Sequence, residues 1–122
     1  SGNMTTNLRD YAKWDRALWD QALLNGETSK LVFQSGTLDK GESVGYGFGW
    51  RVEYEDGELK EVWHGGVGSP KSSARNIIVR DIENRITVAL FVRENLTFGK
   101  VHRREFADEI RKFVLQETDP EN

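Results

Sequence analysis

Hydrophobic residues recur at three- and four-residue spacing over Thr6–Leu24, which predicts an amphipathic helix. Its apolar stripe consists of Leu8, Tyr11, Ala12, Leu18, Trp19, Ala22 and Leu23. Thr6 is suited to the amino cap, and Asn25-Gly26 to a left-handed stop. A short second helix is predicted from about Ser29 to Gln34, and a loop over residues 35–45.

From Tyr46 onward the hydrophobic period changes to two, which is typical of strands with one buried face. The first strand is expected to bury Phe48, Trp50, Val52 and Tyr54. Asp56-Gly57 predicts a tight hairpin turn into a return strand over Glu58–His64. In the return strand, one face is predicted to carry Leu59, Glu61 and Trp63, and the other Lys60, Val62 and His64.

Two more strands are predicted over Ser73–Arg80 and Arg85–Arg93, with a turn at Asp81–Asn84 between them. Both faces of the fourth strand are largely apolar, so we expect it to lie in the centre of the sheet, covered on both sides. A final helix over about Val101–Glu117 is expected to bury four apolar side chains, Phe106, Ile110, Phe113 and Val114.

These elements predict a single α+β domain over residues 1–122, a four-stranded antiparallel sheet flanked by an N-terminal and a C-terminal helix. The composition, with 37% hydrophobic and 30% charged residues, is that of a globular protein. The 20 acidic and 17 basic residues form no basic stripe, which argues against a nucleic-acid partner. No apolar run is long enough to span a membrane. With no cysteine and two histidines, we predict neither a metal site nor a cofactor.

The most distinctive stretch is Trp63-His64-Gly65-Gly66 at the end of a predicted strand, running into Gly68-Ser69-Pro70. Glycines at a strand edge allow a ligand to approach the backbone, and a histidine there is placed to donate a hydrogen bond to it. The alternative is that the glycines form a bend and His64 is an ordinary surface or core residue. Composition by itself favours that alternative.

The order of motifs resembles the carboxy-terminal half of the serine β-lactamase and penicillin-binding-protein superfamily, in particular its class C and esterase-like branch. Members show a Gly-Gly-hydrophobic-hydroxyl-Thr stretch opening a helix, which is similar to Ser1–Thr6 followed by Leu8–Trp14. They show a Tyr-Gly-hydrophobic-Gly-Trp strand, as in residues 46–50, and then a strand ending in His-x-Gly, as in His64-Gly65-Gly66.

The resemblance implies that the chain is a fragment of the β-lactamase/transpeptidase-like fold, in which this strand forms one wall of the active site. His64 would then face the substrate, Gly65 and Gly66 would keep the edge open, and the Val67 amide would be one of two oxyanion-hole donors. The chain departs from the pattern at Lys71, where relatives often have an apolar residue.

The catalytic elements of that superfamily are missing from the sequence. Its nucleophile is the serine of Ser-x-x-Lys, assisted by a Tyr-x-Asn or Ser-x-Asn element. No Ser-x-x-Lys or Tyr-x-Asn occurs, and Ser1-Gly2-Asn3 fits the second pattern by its letters only. We therefore expect no catalytic residue in this chain and no activity from it in isolation.

Three other groups of residues also allow a functional interpretation. The acid-rich stretch of Glu53, Glu55, Asp56, Glu58 and Glu61 suggests paired carboxylates, but is better interpreted as a solvated hairpin. Lys100 and His102-Arg103-Arg104 are interpreted as an exposed basic patch. The four tryptophans are interpreted as core residues rather than as a platform for stacking a ligand.

Three functional hypotheses follow. In the first, an amino-terminal part of the same protein supplies the nucleophile, and the parent protein, bacterial and periplasmic or cytoplasmic, hydrolyses a small-molecule or peptide substrate (a β-lactam, peptide or ester). In the second, the chain is a non-catalytic binding or regulatory module. In the third, it is a structural interaction domain. Because strands missing from a sheet leave an uncovered edge, we expect the isolated chain to form a homodimer or a swapped oligomer.

Overall fold

A computed structural model describes residues 4–67, 74–93 and 102–118 of the chain. In chain order the elements are α1 (Leu8–Trp19), α2 (Gly26–Val32), β1 (Arg51–Glu55), β2 (Glu58–Val67), β3 (Ala74–Asp81), β4 (Ile86–Arg93) and α3 (Arg103–Glu117). The strands form one antiparallel sheet in the order β1-β2-β3-β4. The predicted α+β arrangement is confirmed. None of the described helices has the length and apolar character needed to cross a membrane.

Asparagine side chains set the start of both amino-terminal helices. The Asn7 side chain accepts the Asp10 N–H at the start of α1, so the predicted cap at Thr6 was one residue early. Asn25, predicted to end the first helix, instead caps α2 by accepting the Thr28 N–H. The left-handed residue after α1 is Gln21, with φ 55°, and the helix therefore ends well before Leu24.

Residues 47–50 form a bend, closed by an isolated bridge between Tyr46 and Arg51, and not the predicted strand. The Gly47 N–H donates to the Trp50 carbonyl, and Gly49 has φ 83°, a left-handed conformation that glycine adopts without steric cost. Pairing with β2 therefore begins at Arg51. Four side chains of this segment were predicted to be buried. Trp50 and Val52 are buried, whereas Phe48 and Tyr54 are exposed.

The β1–β2 hairpin contains a register shift between Glu53 and Tyr54, which leaves Lys60 without a pairing partner in β1. The extra residue reverses the side-chain alternation towards the turn. Leu59 therefore packs with Val52 and Val62, and not on the face of Trp63 as predicted from a regular alternation.

The predicted central position of β4 is wrong, because within the described sheet β4 is an edge strand next to β3. Its two faces are nonetheless covered, as predicted. Val88 packs in a cluster with Ala107 of α3, and on the other face the Trp19 indole of α1 donates to the Thr87 hydroxyl. An apolar composition on both faces reports what covers a strand and not how many strands flank it.

The face of the sheet under α3, here called the α3 face, carries the first apolar core. Its buried residues are Ile77, Val79, Val88 and Ala107, with Trp63, Ile86, Leu90 and Ile110 packed around them. Helix α3 begins with a capping box between His102 and Glu105. Of the four side chains predicted to be buried on α3, Phe113 is 62% exposed, and the other three are half-buried; the buried residue of this helix is Ala107.

Glu61 is also buried on the α3 face, which corrects the interpretation of the acidic stretch as wholly solvated. Its carboxylate accepts hydrogen bonds from Arg104 and Arg111 of α3. Burial raises the pKa of Glu61, and the two guanidinium groups oppose that shift. Arg104 therefore belongs to a buried ion-pair network and not to an exposed basic patch.

The opposite face, here called the α1 face, carries a second core of Trp50, Val52 and Val62. Beside it Arg80 is 1% exposed and forms an ion pair with Asp15 of α1, with 2.9 Å between Nε and Oδ1. The Arg80 guanidinium also lies 4.1 Å from the centre of the Trp19 ring. Burial lowers the pKa of Arg80, and the Asp15 carboxylate partly offsets this effect.

Candidate functional site

Strand β2 extends beyond its neighbour β1 at one end of the sheet. The pairing of β1 with β2 stops at Arg51 opposite Trp63, whereas β2 continues to Val67. Over His64–Val67 the strand remains paired to β3, from Ile78 to Arg75. One edge of β2 over these residues is therefore unpaired by any described strand. We call residues 64–67 the open edge.

The register fixes which backbone amides point towards the open edge. The Lys60 carbonyl accepts from the Ile82 N–H, and the Gly66 N–H donates to the Asn76 side chain, so both groups face the β3 side. Successive residues of an antiparallel strand direct their amides to opposite neighbours. Gly65 and Val67 therefore direct their N–H groups away from β3, towards the side that β1 does not reach.

The His64 side chain is exposed at this edge and is held by Tyr46. The Tyr46 hydroxyl oxygen lies 3.2 Å from Nδ1 of His64. The bend over residues 47–50 places the tyrosine there, with the Tyr46 carbonyl bonded to the Gly36 N–H. Because Nδ1 is engaged by the hydroxyl, Nε2 is the ring nitrogen left to meet a ligand.

The two glycines of the motif differ in how much space surrounds them. A Cβ added at Gly66 would lie 2.6 Å from Oδ1 and 2.9 Å from Nδ2 of Asn76. A Cβ added at Gly65 would meet its nearest heavy atom at 3.7 Å, an ordinary contact. Gly66 is therefore needed for the Asn76 amide to lie against the strand, whereas Gly65 is not constrained in this way.

Arg103, the first residue of α3, bridges the two strands behind the site. Its Nη1 donates to the Gly66 carbonyl and to the Asn76 carbonyl, at 2.9 Å each. The residue was predicted to belong to an exposed basic patch, and the structure corrects this. The sequence contained no signal for this role, because the contact joins residues 37 positions apart.

A cavity of about 450 Å³ adjoins the open edge on the α1 face. Its walls include four aromatic side chains, Tyr11, Trp14, Trp50 and Phe91. His64 and Asn76 also line it. Trp14 and Phe91 are each 38% exposed. Of the four tryptophans interpreted as core residues, Trp50 is buried, Trp19 and Trp63 are half-buried, and Trp14 is exposed.

The structure thus brings His64, Gly65 and Gly66 together with the backbone of Val67 at one edge. The part of the motif over residues 68–73, including Lys71, lies outside the described residues, as do Ser1-Gly2-Asn3 and Lys100. Sequence reasoning missed Tyr46, Asn76 and Arg103. Among the residues that the structure describes, no three His, Asp or Glu side chains are grouped as a metal ion requires.

Comparison with known proteins gives no further assignment. No family model, no curated protein and no solved structure matches the chain.

Proposed function

We propose that the chain forms the substrate-binding wall of a serine hydrolase of the β-lactamase and penicillin-binding-protein type. In this proposal a part of the same protein outside residues 1–122 supplies the nucleophile and its base. The substrate is a β-lactam, a peptide or an ester, and the reaction passes through an acyl-enzyme intermediate. The observation that carries the proposal is the open edge, which carries the exposed His64 ring and along which Gly65 and Val67 direct their N–H groups away from β3.

The backbone geometry of the open edge suits an oxyanion hole. Attack on a carbonyl places negative charge on its oxygen, and a preorganised N–H that points at this oxygen stabilises the charge. The Val67 N–H is directed to the side of β2 that no described strand pairs, and in this proposal it donates to the carbonyl oxygen of the substrate. The residues before it, Gly65 and Gly66, present no side chain that would block the approach.

His64 is assigned the role of a substrate-binding residue and not that of the general base. In this proposal the Tyr46 hydroxyl donates to Nδ1 of the exposed ring, so that Nε2 carries the proton and donates to a substrate carbonyl or carboxylate. A fixed ring loses less conformational freedom on binding than a freely rotating one. Removal of the ring should therefore weaken both substrate binding and the rate of acylation.

The test is to express the protein from its complete reading frame and to treat it with a fluorescent penicillin and with a fluorophosphonate. We expect covalent labelling of a serine outside residues 1–122. The variant His64→Ala should be labelled at least tenfold more slowly. The matched control is His102→Asn, which changes the other histidine and retains a residue suited to the amino cap of α3.

Labelling that is equally fast in His64→Ala and in the control would remove His64 from the site. An absence of labelling by both reagents in a folded protein would contradict the serine-hydrolase proposal itself.

A second candidate function, an interaction module, is favoured by the outer edge of β4. Among the described strands β4 pairs with β3 on one side only, and its sequence is strongly apolar. Such an edge is a template for another strand, including β4 of a second copy. Light scattering coupled to size exclusion should show a homodimer of the isolated chain. A monomer at every concentration tested would count against this candidate.

A further inference from the structure

The cavity beside the open edge has walls made of aromatic side chains. The Trp14 and Trp50 rings are close to parallel, with an interplanar angle of 13° and centroids 6.5 Å apart. Tyr11 packs against Trp14 with centroids 5.6 Å apart, and against Phe91 edge-on at 5.8 Å. Aromatic rings from α1 and from β4, which are far apart in the sequence, therefore line the same cavity.

The size and lining of this space fit a small molecule. Small-molecule sites typically measure about 300–1,000 Å³ and combine mainly apolar walls with a few polar groups. The volume here, about 450 Å³, falls in that range. Flat aromatic walls favour a flat apolar group, because such a group makes extensive contact with the ring faces.

The polar groups of the cavity lie where it meets the open edge. His64 has Nδ1 engaged by Tyr46, and Asn76 has Oδ1 engaged by the Gly66 N–H. The nitrogen atoms left to face a ligand are therefore Nε2 of His64 and Nδ2 of Asn76. The amide nitrogen is a hydrogen-bond donor, which selects an acceptor on the ligand.

We propose that this cavity binds the ring-bearing, apolar part of the substrate, with a carbonyl of the substrate held at His64 and Asn76. The inference rests on the proposed function for its identification of the ligand as a substrate. It adds a substrate class to that function: an amide, ester or β-lactam with an aromatic or similarly flat group next to its carbonyl.

The solvent exposure of the aromatic side chains that line the cavity supports the binding of an apolar ligand there. Trp14 and Phe91 retain 38% of their surface in contact with solvent, and both line the cavity. Removal of this apolar surface from water on ligand binding is favourable in proportion to its area. The ligand thus completes a packing arrangement that α1 and the sheet leave unfinished.

The experiment uses the protein expressed from its complete reading frame, and both probes are unactivated amides that are poor acylating agents, so that binding is measured apart from acylation. The probe is phenylacetamide, which has a ring and a neutral carbonyl, and acetamide is the probe without a ring. Two-dimensional ¹H–¹⁵N NMR spectra report the indole N–H groups of Trp14 and Trp50 and the amide of Gly66. We expect saturable shifts of these signals with phenylacetamide and none with acetamide at the same concentration.

Two variants test the location of the probe. Trp14→Ala and Phe91→Ala should each weaken phenylacetamide binding at least fivefold. The matched control Phe113→Ala removes an exposed ring from α3, on the other face of the sheet, and should leave the affinity unchanged. His64→Ala should weaken binding while the indole signals still respond.

The proposal is overturned if the indole and Gly66 signals do not shift, if acetamide shifts them equally, or if the control lowers the affinity as much as Trp14→Ala does. Its failure is distinct from failure of the proposed function. Binding without covalent labelling of the longer protein would reject the hydrolase and keep the cavity as a ligand site. Labelling without binding would keep the hydrolase and reject this cavity as its subsite.

Discussion

The two faces of the sheet differ in how completely they are covered. On the α3 face, Ile77 and Val79 are 3% and 1% exposed under α3. On the α1 face, Val62 is fully buried near the middle of the sheet, but the end that carries His64 opens into the cavity. Alternate residues of the same strands thus serve two purposes, one face for stability and the other for access.

The two faces also differ in how their buried charged side chains are paired. Glu61 on the α3 face is contacted by two arginines, and these have further carboxylate partners in Asp108 and Asp81. Arg80 on the α1 face has one carboxylate partner among the described residues, Asp15. A network with several partners tolerates the loss of one of them, whereas a pair does not.

The largest loss of stability is expected when this difference in charge pairing is tested by mutation. Asp15→Asn leaves the Arg80 guanidinium buried without a counter-charge and should lower the free energy of unfolding by about 3 kcal/mol. Glu61→Gln should cost about 1 kcal/mol, because its arginines, with side chains 26% exposed, keep other partners. Urea unfolding of both variants measures the difference. Equal losses would contradict the distinction between pair and network.

The next largest loss of stability is expected from a comparison of two neighbouring residues of β3 whose side chains lie on opposite faces of the sheet. Val79→Ala should lower the free energy of unfolding by about 2 kcal/mol, since it leaves a cavity in a closed core. Ile78→Ala removes more atoms but borders the open cavity, and should cost no more than about half as much. Denaturant unfolding decides the order. A larger loss for Ile78→Ala would show that the α1 face is the more tightly packed of the two.

A smaller effect concerns pH and the buried phenol of the α1 face. Burial, and to a lesser extent Asp15, raises the pKa of Tyr11 above its ordinary value of 10.0. The folded state then keeps this proton above pH 10, where the unfolded state releases it, so Tyr11 makes stability fall as pH rises. In Tyr11→Phe the fall in stability above pH 10 should be shallower. Thermal unfolding of both proteins from pH 8 to 11 measures the slopes, and identical slopes would refute the prediction.

The smallest effect is local and compares the two glycines at the open edge. Gly66→Ala should displace the Asn76 side chain, which is an exposed amide able to move, and weaken phenylacetamide binding severalfold at little cost in stability. Gly65→Ala should leave the stability unchanged and lower the affinity less than Gly66→Ala does, since the added Cβ makes an ordinary contact. The NMR titration described above measures both variants. Equal affinities in the two variants would remove Asn76 from the site.

Local periodicity was enough to predict the α+β arrangement, and the Asp56-Gly57 dipeptide was enough to predict the hairpin. Periodicity failed where a hydrogen bond outweighs a pattern. The apolar alternation of Phe48 and Trp50 is that of a strand, yet two glycines and the Gly47–Trp50 hydrogen bond make a bend there. Likewise, the caps at Asn7 and Asn25 depend on side-chain geometry that spacing does not encode.

The candidate site was predictable to the extent that it lies within one motif. His64, Gly65 and Gly66 are contiguous, and the strand that carries them follows a hairpin signal. Tyr46, Asn76 and Arg103 come from three other parts of the chain, and their contacts depend on tertiary packing. The position of β4 at the edge was missed for a related reason, since strand order is set by pairing and not by composition.

The most direct test of the central claim is intact mass spectrometry of the protein expressed from its complete reading frame, before and after exposure to a penicillin. We expect a mass increase of one acyl group, mapped by peptide analysis to a serine outside residues 1–122 and formed more slowly in His64→Ala. An unchanged mass in a folded protein, with a fluorophosphonate also failing to react, would contradict the account.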